Sequence, residues 1–176
     1  MNIALFLQMA AEACPDRPAL THHGKHYTYA QLFSAAKRAA LYFSTGNCKF
    51  VCLLDTSSPA TPIALMGAAI AGIPYVPLNY RLSEEQLTPL LDRINPAYLI
   101  SGPRNETYDF DGWVVQDSAD FLSDVLNGEE VEVTWHEDPS AVAVQLFTSG
   151  TTGIPKAALL RHEHLVSYIL GSVEFM

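Results

Sequence analysis

The sequence predicts an α/β fold, with a mostly parallel sheet and flanking helices. Between residues 50 and 100, short apolar segments alternate with segments that carry helix-start and helix-end signals. Such an alternation with short turns implies right-handed crossovers between parallel strands. The chain has 176 residues, of which 49% are hydrophobic, so it can bury a core as one domain. We therefore place no domain boundary within residues 1–176.

The N-terminal segment predicts an amphipathic helix. Its apolar run resembles a signal peptide, but no Lys or Arg precedes Arg17, and Gln8 and Glu12 interrupt the run. A secretory leader is therefore not expected.

A small hairpin is predicted next, because residues 19–21 and 27–28 flank a His-His-Gly-Lys turn. His22, His23 and His26 cluster there, and one interpretation of the cluster is a metal site. Because no carboxylate or cysteine stands beside them in the sequence, we favour a polar hairpin tip and predict no metal ligands.

Caps and chain-breaking residues define the remaining elements. Pro59 suits a first helical turn, Ser83-Glu-Glu-Gln86 matches a capping box, and Gly46 and Gly72 are placed to end helices. Helices are predicted at 29–44, 59–72, 83–94, 117–127 and 162–175, and strands at 50–55, 75–78, 98–100, 113–115 and 141–147.

Charge and composition exclude several classes of protein. Nineteen Asp and Glu against ten Lys and Arg give a net charge of -9, which repels nucleic acid unless a local basic patch exists, and none is visible. Residues 56–80 carry no charge, but their prolines leave only 63–72 free for a helix, which is too short to span a bilayer. Three cysteines without metal-ligand spacing indicate reduced thiols. We expect a soluble, cytoplasmic protein with no transmembrane segment.

One stretch of the chain is strongly acidic. From Glu106 to Asp138 there are eleven acidic residues and no Lys or Arg. Their spacing matches neither an EF-hand loop nor a pair of catalytic carboxylates. We interpret the stretch as a solvated face.

The segment after the last predicted strand carries the strongest chemical signal. Thr148-Ser-Gly-Thr-Thr-Gly-Ile-Pro-Lys156 holds four hydroxyls, two glycines and one lysine. Glycines allow backbone N–H groups to approach an anion, hydroxyls add donors or Mg²⁺ ligands, and lysine adds the charge that phosphate needs. We call residues 148–156 the phosphate loop. Its lysine is the only Lys or Arg between Arg104 and Arg161.

The phosphate loop is neither a Walker A motif nor a GxGxxG motif. Gly150 and Gly153 are three residues apart, and Pro155 directly precedes Lys156. By composition alone, a surface turn with an incidental lysine is an alternative.

The full string Leu-Phe-Thr-Ser-Gly-Thr-Thr-Gly-Ile-Pro-Lys, residues 146–156, strongly resembles the AMP-binding signature of the adenylate-forming superfamily. This superfamily includes acyl-CoA synthetases, peptide-synthetase adenylation domains and firefly-type luciferases. Tyr27-Thr-Tyr-Ala-Gln-Leu32 is similar to the early TYxEL segment of the family, and residues 68–79 are similar to its AGxxYVPL segment. Asn79-Tyr-Arg-Leu82 is more like acyl-CoA synthetases than peptide-synthetase domains. Ala157 departs from the glycine that is common there.

The resemblance implies an ATP-dependent acyl- or aryl-CoA ligase. Such an enzyme activates a small-molecule carboxylic acid as an acyl-adenylate, using ATP and Mg²⁺, and transfers the acyl group to CoA. Lys156 is implied as the catalytic residue that neutralises the departing pyrophosphate. The residues implied to hold the β- and γ-phosphates are Thr148, Ser149, Gly150, Thr151, Thr152 and Gly153, with Lys156.

Members of the superfamily are several hundred residues longer. The resemblance therefore also implies that residues 1–176 are the N-terminal part of the large adenylation domain, without the C-terminal lid domain, and that the remainder of its own chain is a partner. Two other functions stay open: a stand-alone module that binds a phosphorylated ligand without catalysis, and a structural piece with a vestigial loop.

Overall fold

The computed structural model describes residues 1–102, 112–148 and 155–172. Its helices are α1 (Ala4–Ala13), α2 (Tyr29–Thr45), α3 (Ala60–Ala71), α4 (Glu84–Leu91), α5 (Ser118–Asn127) and α6 (His162–Ser172). Its strands are β1 (Pro18–His22), β2 (Lys25–Thr28), β3 (Phe50–Leu54), β4 (Tyr75–Pro77), β5 (Ala97–Ser101), β6 (Val114–Asp117), β7 (Val142–Thr148) and β8 (Lys156–Arg161).

Six of these strands form one sheet in the order β6-β5-β3-β4-β7-β8, and β1 and β2 pair separately as an antiparallel hairpin. All neighbours from β6 to β7 are parallel, whereas β8 runs antiparallel to β7. The predicted α/β class, with a mostly parallel sheet and flanking helices, is confirmed.

The sheet has a core on each face. In β3, Val51 and Leu53 belong to one buried cluster, while Cys52 and Leu54 belong to the other. This alternation follows from the two-residue period of a strand that is covered on both sides. Helices α2, α3 and α5 pack in the first cluster, and α4 packs in the second.

Small residues let α2 and α3 approach each other closely. A Cβ atom built on Gly67 of α3 would lie 2.7 Å from the Cβ of Ala39 and 3.0 Å from the carbonyl oxygen of Ala36. Both alanines are fully buried. The lack of a side chain at residue 67 therefore sets the distance between these helices.

The predicted capping box forms at the start of α4, where Ser83 N–H donates to Gln86 Oε1 (3.1 Å). A second capping box, which was not predicted, begins α2. Thr28 caps α2 through a complete capping box, in which Gln31 N–H donates to Thr28 Oγ1 (3.2 Å) and Thr28 N–H donates to Gln31 Oε1 (2.9 Å). Gly72 ends α3 in the left-handed region, with φ of 72°. Helix α4 ends at Leu91, three residues before the predicted end.

Strand β8 was not expected, because residues 157–161 carried no strand prediction. Its residues alternate irregularly between exposed and half-buried positions, so the two-residue period is missing from its sequence. The predicted end of α6 at residue 175 lies outside the described residues.

Within the described ranges, no helix combines the length and hydropathy that a membrane crossing requires. The acidic side chains of the described part of the 106–138 stretch are exposed, as expected for a solvated face. One of them, Asp117, caps α5 by accepting hydrogen bonds from the amides of Ala119 (2.7 Å) and Asp120 (3.4 Å).

Candidate functional site

The carboxyl ends of the parallel strands lie along one edge of the sheet. Strand β3 continues into α3 on one face of the sheet, whereas its neighbour β4 continues into α4 on the opposite face. Such a reversal opens a crevice beyond the strand ends, where open α/β sheets bind their ligands. Asp55 follows β3 and Asn79 follows β4 at this edge, and Thr148 ends β7, the next strand beyond β4.

The phosphate loop connects two paired strands. Thr148 and Lys156 are register partners at the end of the β7–β8 hairpin, and Thr148 Oγ1 donates a hydrogen bond to the Lys156 carbonyl oxygen (3.3 Å). The structure therefore brings together the first and last residues of the predicted site. The predicted residues Ser149, Gly150, Thr151, Thr152 and Gly153 lie outside the described residues.

Lys156 is exposed at the carboxyl edge. A lysine ammonium in this position is free of burial costs and carries a positive charge in a chain whose net charge is -9. Phosphate attraction would therefore be concentrated at this hairpin.

A second cation that the sequence did not indicate lies at the same hairpin. Arg93 follows α4, and its guanidinium carbon lies 5.2 Å from the centre of the Phe147 ring. Its Nη1 donates to the carbonyl oxygen of Pro155 (2.5 Å). No local pattern could predict this contact, because Arg93 and Pro155 are 62 residues apart in sequence.

Asp55 is organised by its own turn at the carboxyl edge. Its Oδ1 accepts a hydrogen bond from the Thr56 amide (2.6 Å), and a Cβ at Gly102, just beyond β5, would collide with this carboxylate. The close approach explains glycine at residue 102. We assign no chemistry to Asp55.

The β1–β2 hairpin contains no candidate metal centre. The rings of His22 and His23 meet edge to face at 4.1 Å, and His26 Nδ1 lies 2.7 Å from Thr21 Oγ1. Across the described part of the chain, no group of three or more His, Cys, Asp or Glu residues is placed to hold a metal ion.

The three cysteines are free thiols. Burial raises the pKa of Cys52 well above its ordinary value, and the nearby Cys48 raises it further. Burial also raises the pKa of Cys48. A thiol with a raised pKa is a poor nucleophile near neutral pH, so neither residue is a catalytic candidate.

A shallow groove of about 410 Å³ lies at the β6 side of the sheet, where β5 and β6 meet the end of α2 and helix α5. Its polar groups pair with each other: Tyr98 Oη donates to Gln116 Oε1 (2.5 Å), and Gln116 Nε2 donates to Asp124 Oδ2 (2.7 Å). Burial, followed by the charge of Asp124, raises the pKa of Tyr98 to about 12. The groove lacks a basic residue, so it does not fit a phosphate ligand.

Comparison with known proteins identifies the family of the chain. Residues 7–175 match the family described as AMP-binding enzyme. The chain belongs to this AMP-binding family. The predicted membership in the adenylate-forming superfamily is confirmed.

Relatives of the chain differ in the reactions that their names state. A plipastatin synthase protein of Bacillus subtilis is 31% identical over 172 residues, which are 95% of this chain and 6% of that protein. A medium/long-chain-fatty-acid–CoA/3-oxocholest-4-en-26-oate–CoA ligase of Mycolicibacterium smegmatis is 30% identical over 197 residues, covering 99% of this chain and 36% of the ligase. The chain thus spans about a third of this ligase and much less of the synthase.

Two solved structures share the fold. The fatty acyl CoA synthetase of Mycobacterium tuberculosis superposes with a TM-score of 0.78 at 24% identity, over 92% of this chain and 35% of that one. The N-terminal subdomain of Klebsiella oxytoca NpsA superposes with a TM-score of 0.76 at 23% identity, over 92% of this chain and 42% of that one.

Proposed function

We propose that the chain is the N-terminal part of an ATP-dependent carboxylic acid–CoA ligase. The carboxylate oxygen of the acid attacks the α-phosphorus of ATP, the bond to the bridging oxygen breaks, and pyrophosphate leaves. The CoA thiolate then attacks the acyl carbon, a C–S bond forms, and AMP leaves.

The observation that supports the proposal most directly is the meeting of Thr148 and Lys156 at the end of the β7–β8 hairpin. This arrangement holds the Thr148 hydroxyl against the backbone of Lys156, whose side chain is exposed, at the edge of the sheet where α/β proteins bind ligands. We assign Lys156 to the leaving pyrophosphate and residues 148–153 to the β- and γ-phosphates, where donors that meet developing charge lower the barrier.

The donor set fits ATP with Mg²⁺ as far as the described residues reach. Thr148 offers a hydroxyl oxygen, and Lys156 offers a compensating charge. Mg²⁺ commonly retains several waters and shares substrate phosphate oxygens, so it needs few protein ligands here. When bound, it would offset charge on the phosphates.

CoA is proposed as the acceptor because of residues 79–82. These residues follow β4, and their turn is internally fixed: Arg81 N–H donates to Asn79 Oδ1 (3.0 Å), and Arg81 Nε donates to Tyr80 Oη (3.1 Å). Their resemblance to acyl-CoA synthetases, together with the Mycolicibacterium relative, favours CoA over a carrier protein.

The test is ATP–pyrophosphate exchange by the full-length protein with Mg²⁺ and a panel of fatty, aromatic and amino acids. We expect exchange with at least one fatty or aromatic acid, followed by thioester formation when CoA is added. Exchange without transfer to CoA, but with transfer to a phosphopantetheinyl carrier protein, would contradict the choice of acceptor. ATP binding with no exchange for any acid would favour a binding module without catalysis.

A further inference from the structure

Arg93 connects the short helix α4 to the hairpin that carries the phosphate loop. It comes two residues after α4 ends, and its backbone N–H donates to the Leu90 carbonyl oxygen (3.1 Å), which anchors its backbone to the last turn of the helix. Leu90 and Leu91 are buried. The base of the arginine is therefore fixed to the core on one face of the sheet.

The guanidinium contacts both arms of the hairpin. It lies over the Phe147 ring of β7, and it donates to the carbonyl oxygen of Pro155, directly before β8. Each contact lies one residue before the register partners Thr148 and Lys156: Phe147 precedes Thr148, and Pro155 precedes Lys156. One side chain thus holds both ends of the phosphate loop.

We propose that Arg93 is a positioning residue that fixes the ends of the hairpin and thereby orients Lys156. This role rests on the proposed function, in which Lys156 meets the leaving pyrophosphate. The hydrogen bond immobilises the residue next to Lys156, and the ring contact immobilises the facing strand. Small displacements of a group that stabilises a transition state reduce the rate of the chemical step.

Arginine suits this position better than lysine. The planar guanidinium can lie flat on an aromatic ring while an N–H at its edge donates to a carbonyl oxygen, whereas an ammonium group lacks that fixed geometry. Methionine would keep much of the apolar stem over Phe147 and lose both the charge and the donor. These two replacements separate charge from geometry.

The kinetic test uses ATP–pyrophosphate exchange by the full-length protein, with Arg93→Met, Arg93→Lys and a matched control. Lys37→Met is the control, because Lys37 also places its cation over a ring, 5.6 Å from the centre of Phe33, but lies on the opposite face of the sheet. We expect Arg93→Met to lower kcat about fivefold to tenfold with an unchanged KM for the acid. Arg93→Lys should recover part of the loss, and Lys37→Met should match the parent.

A double-mutant cycle distinguishes positioning from direct phosphate binding. If Arg93 acts through Lys156, Arg93→Met should change the rate by less than about twofold in a Lys156→Ala background. Equal fold-losses in both backgrounds would overturn the proposal and indicate that Arg93 contacts phosphate independently. An unchanged kcat for Arg93→Met in the parent background would also overturn it.

Hydrogen–deuterium exchange of the full-length protein gives a readout that needs no substrate. Arg93→Met should speed amide exchange at the Thr148 and Lys156 end of the hairpin, while the Val142 and Arg161 end exchanges as in the parent. Amide exchange that increases equally at both ends of the hairpin, or that does not change, would contradict a role of Arg93 in fixing the ends of the loop. If the parent shows no pyrophosphate exchange with any acid, the proposed function fails, whereas the amide measurement still decides whether Arg93 holds the hairpin.

Discussion

The α2–α3 helix layer and the β7–β8 hairpin are held in opposite ways. The helix layer depends on shape: alanines and Gly67 are fully enclosed, and a single added carbon would meet backbone atoms. The hairpin depends on contacts made by a long polar side chain. Strand β8 is largely exposed, and Arg93, which follows α4, contacts residues at both ends of the loop. Substitutions in the first region should therefore change stability, and substitutions in the second should change chemistry.

Gly67→Val should produce the largest loss of stability. The new side chain would face Ala39 and the Ala36 carbonyl oxygen, and backbone cannot move aside as a flexible side chain can. We expect the free energy of unfolding to fall by about 3 kcal/mol, measured by urea denaturation. Gly171→Ala is the control, because no atom lies within 4 Å of its added Cβ. A loss at residue 171 equal to that at residue 67 would contradict the shape argument.

Lys156→Ala should have the opposite profile. Removing one charge-assisted contact to pyrophosphate should slow ATP–pyrophosphate exchange at least about tenfold, which corresponds to about 1.4 kcal/mol in the barrier. The thermal midpoint should not change, because the side chain is exposed. Lys25→Ala, in the β1–β2 hairpin, removes another exposed lysine and should leave exchange unaltered. Equal exchange rates for the Lys156 variant and the parent would favour the alternative that the loop is a surface turn with an incidental lysine.

His162, the first residue of α6, makes the end of β8 sensitive to pH. It is buried, with 1% of its surface exposed, and its Nδ1 accepts a hydrogen bond from the Ile3 amide (3.4 Å). Burial lowers the pKa of His162, and His136 and the N-terminal amino group lower it further, while Asp138 opposes them. The unfolded chain therefore binds a proton more readily than the folded one.

Stability should consequently fall as the solution becomes acidic. The contribution of neutral His162 is complete above the ordinary histidine pKa of about 6.5 and is lost as the pH drops from there toward the lower pKa of the folded state. Between pH 7.5 and 5, the melting temperature should fall more steeply with decreasing pH for the parent than for His162→Gln. His26→Gln, at an exposed histidine, should retain the parent slope. Identical slopes for the parent and the His162 variant would refute this assignment.

Tyr75→Phe should have the smallest effect and a favourable sign. In the described part of the chain, Tyr75 Oη is the buried side-chain polar atom that has no hydrogen-bond partner. Burial raises the pKa of this phenol, which therefore stays neutral. Removing an unsatisfied hydroxyl should raise the free energy of unfolding by roughly 0.5–1 kcal/mol, measured by urea denaturation. A loss of stability would show that the hydroxyl makes a useful contact.

Local signals predicted the elements whose causes are local. The Ser83–Gln86 capping box begins α4, the left-handed backbone of Gly72 ends α3, and the apolar run at β3 reflects burial on both faces. Strand β8 was not predicted because its own residues lack a two-residue apolar period; its pairing with β7 makes it a strand. Arg93 was missed for a similar reason: its contact with Pro155 exists only once the sheet has folded. Residues 149–153 of the candidate site remain predictions.

The route of the chain to β7 sets an order of assembly during synthesis. Strands β3 to β6 occupy residues 50–117 and lie side by side, whereas β7 returns past them to pair with β4 at Tyr75 and Val144. Because a ribosome makes the chain from its N-terminus, those four strands can pair before β7 has emerged from the ribosome. The hairpin with Thr148 and Lys156 then docks on a scaffold that already exists. A nascent chain would acquire the edge to which we assign phosphate binding only in that late step.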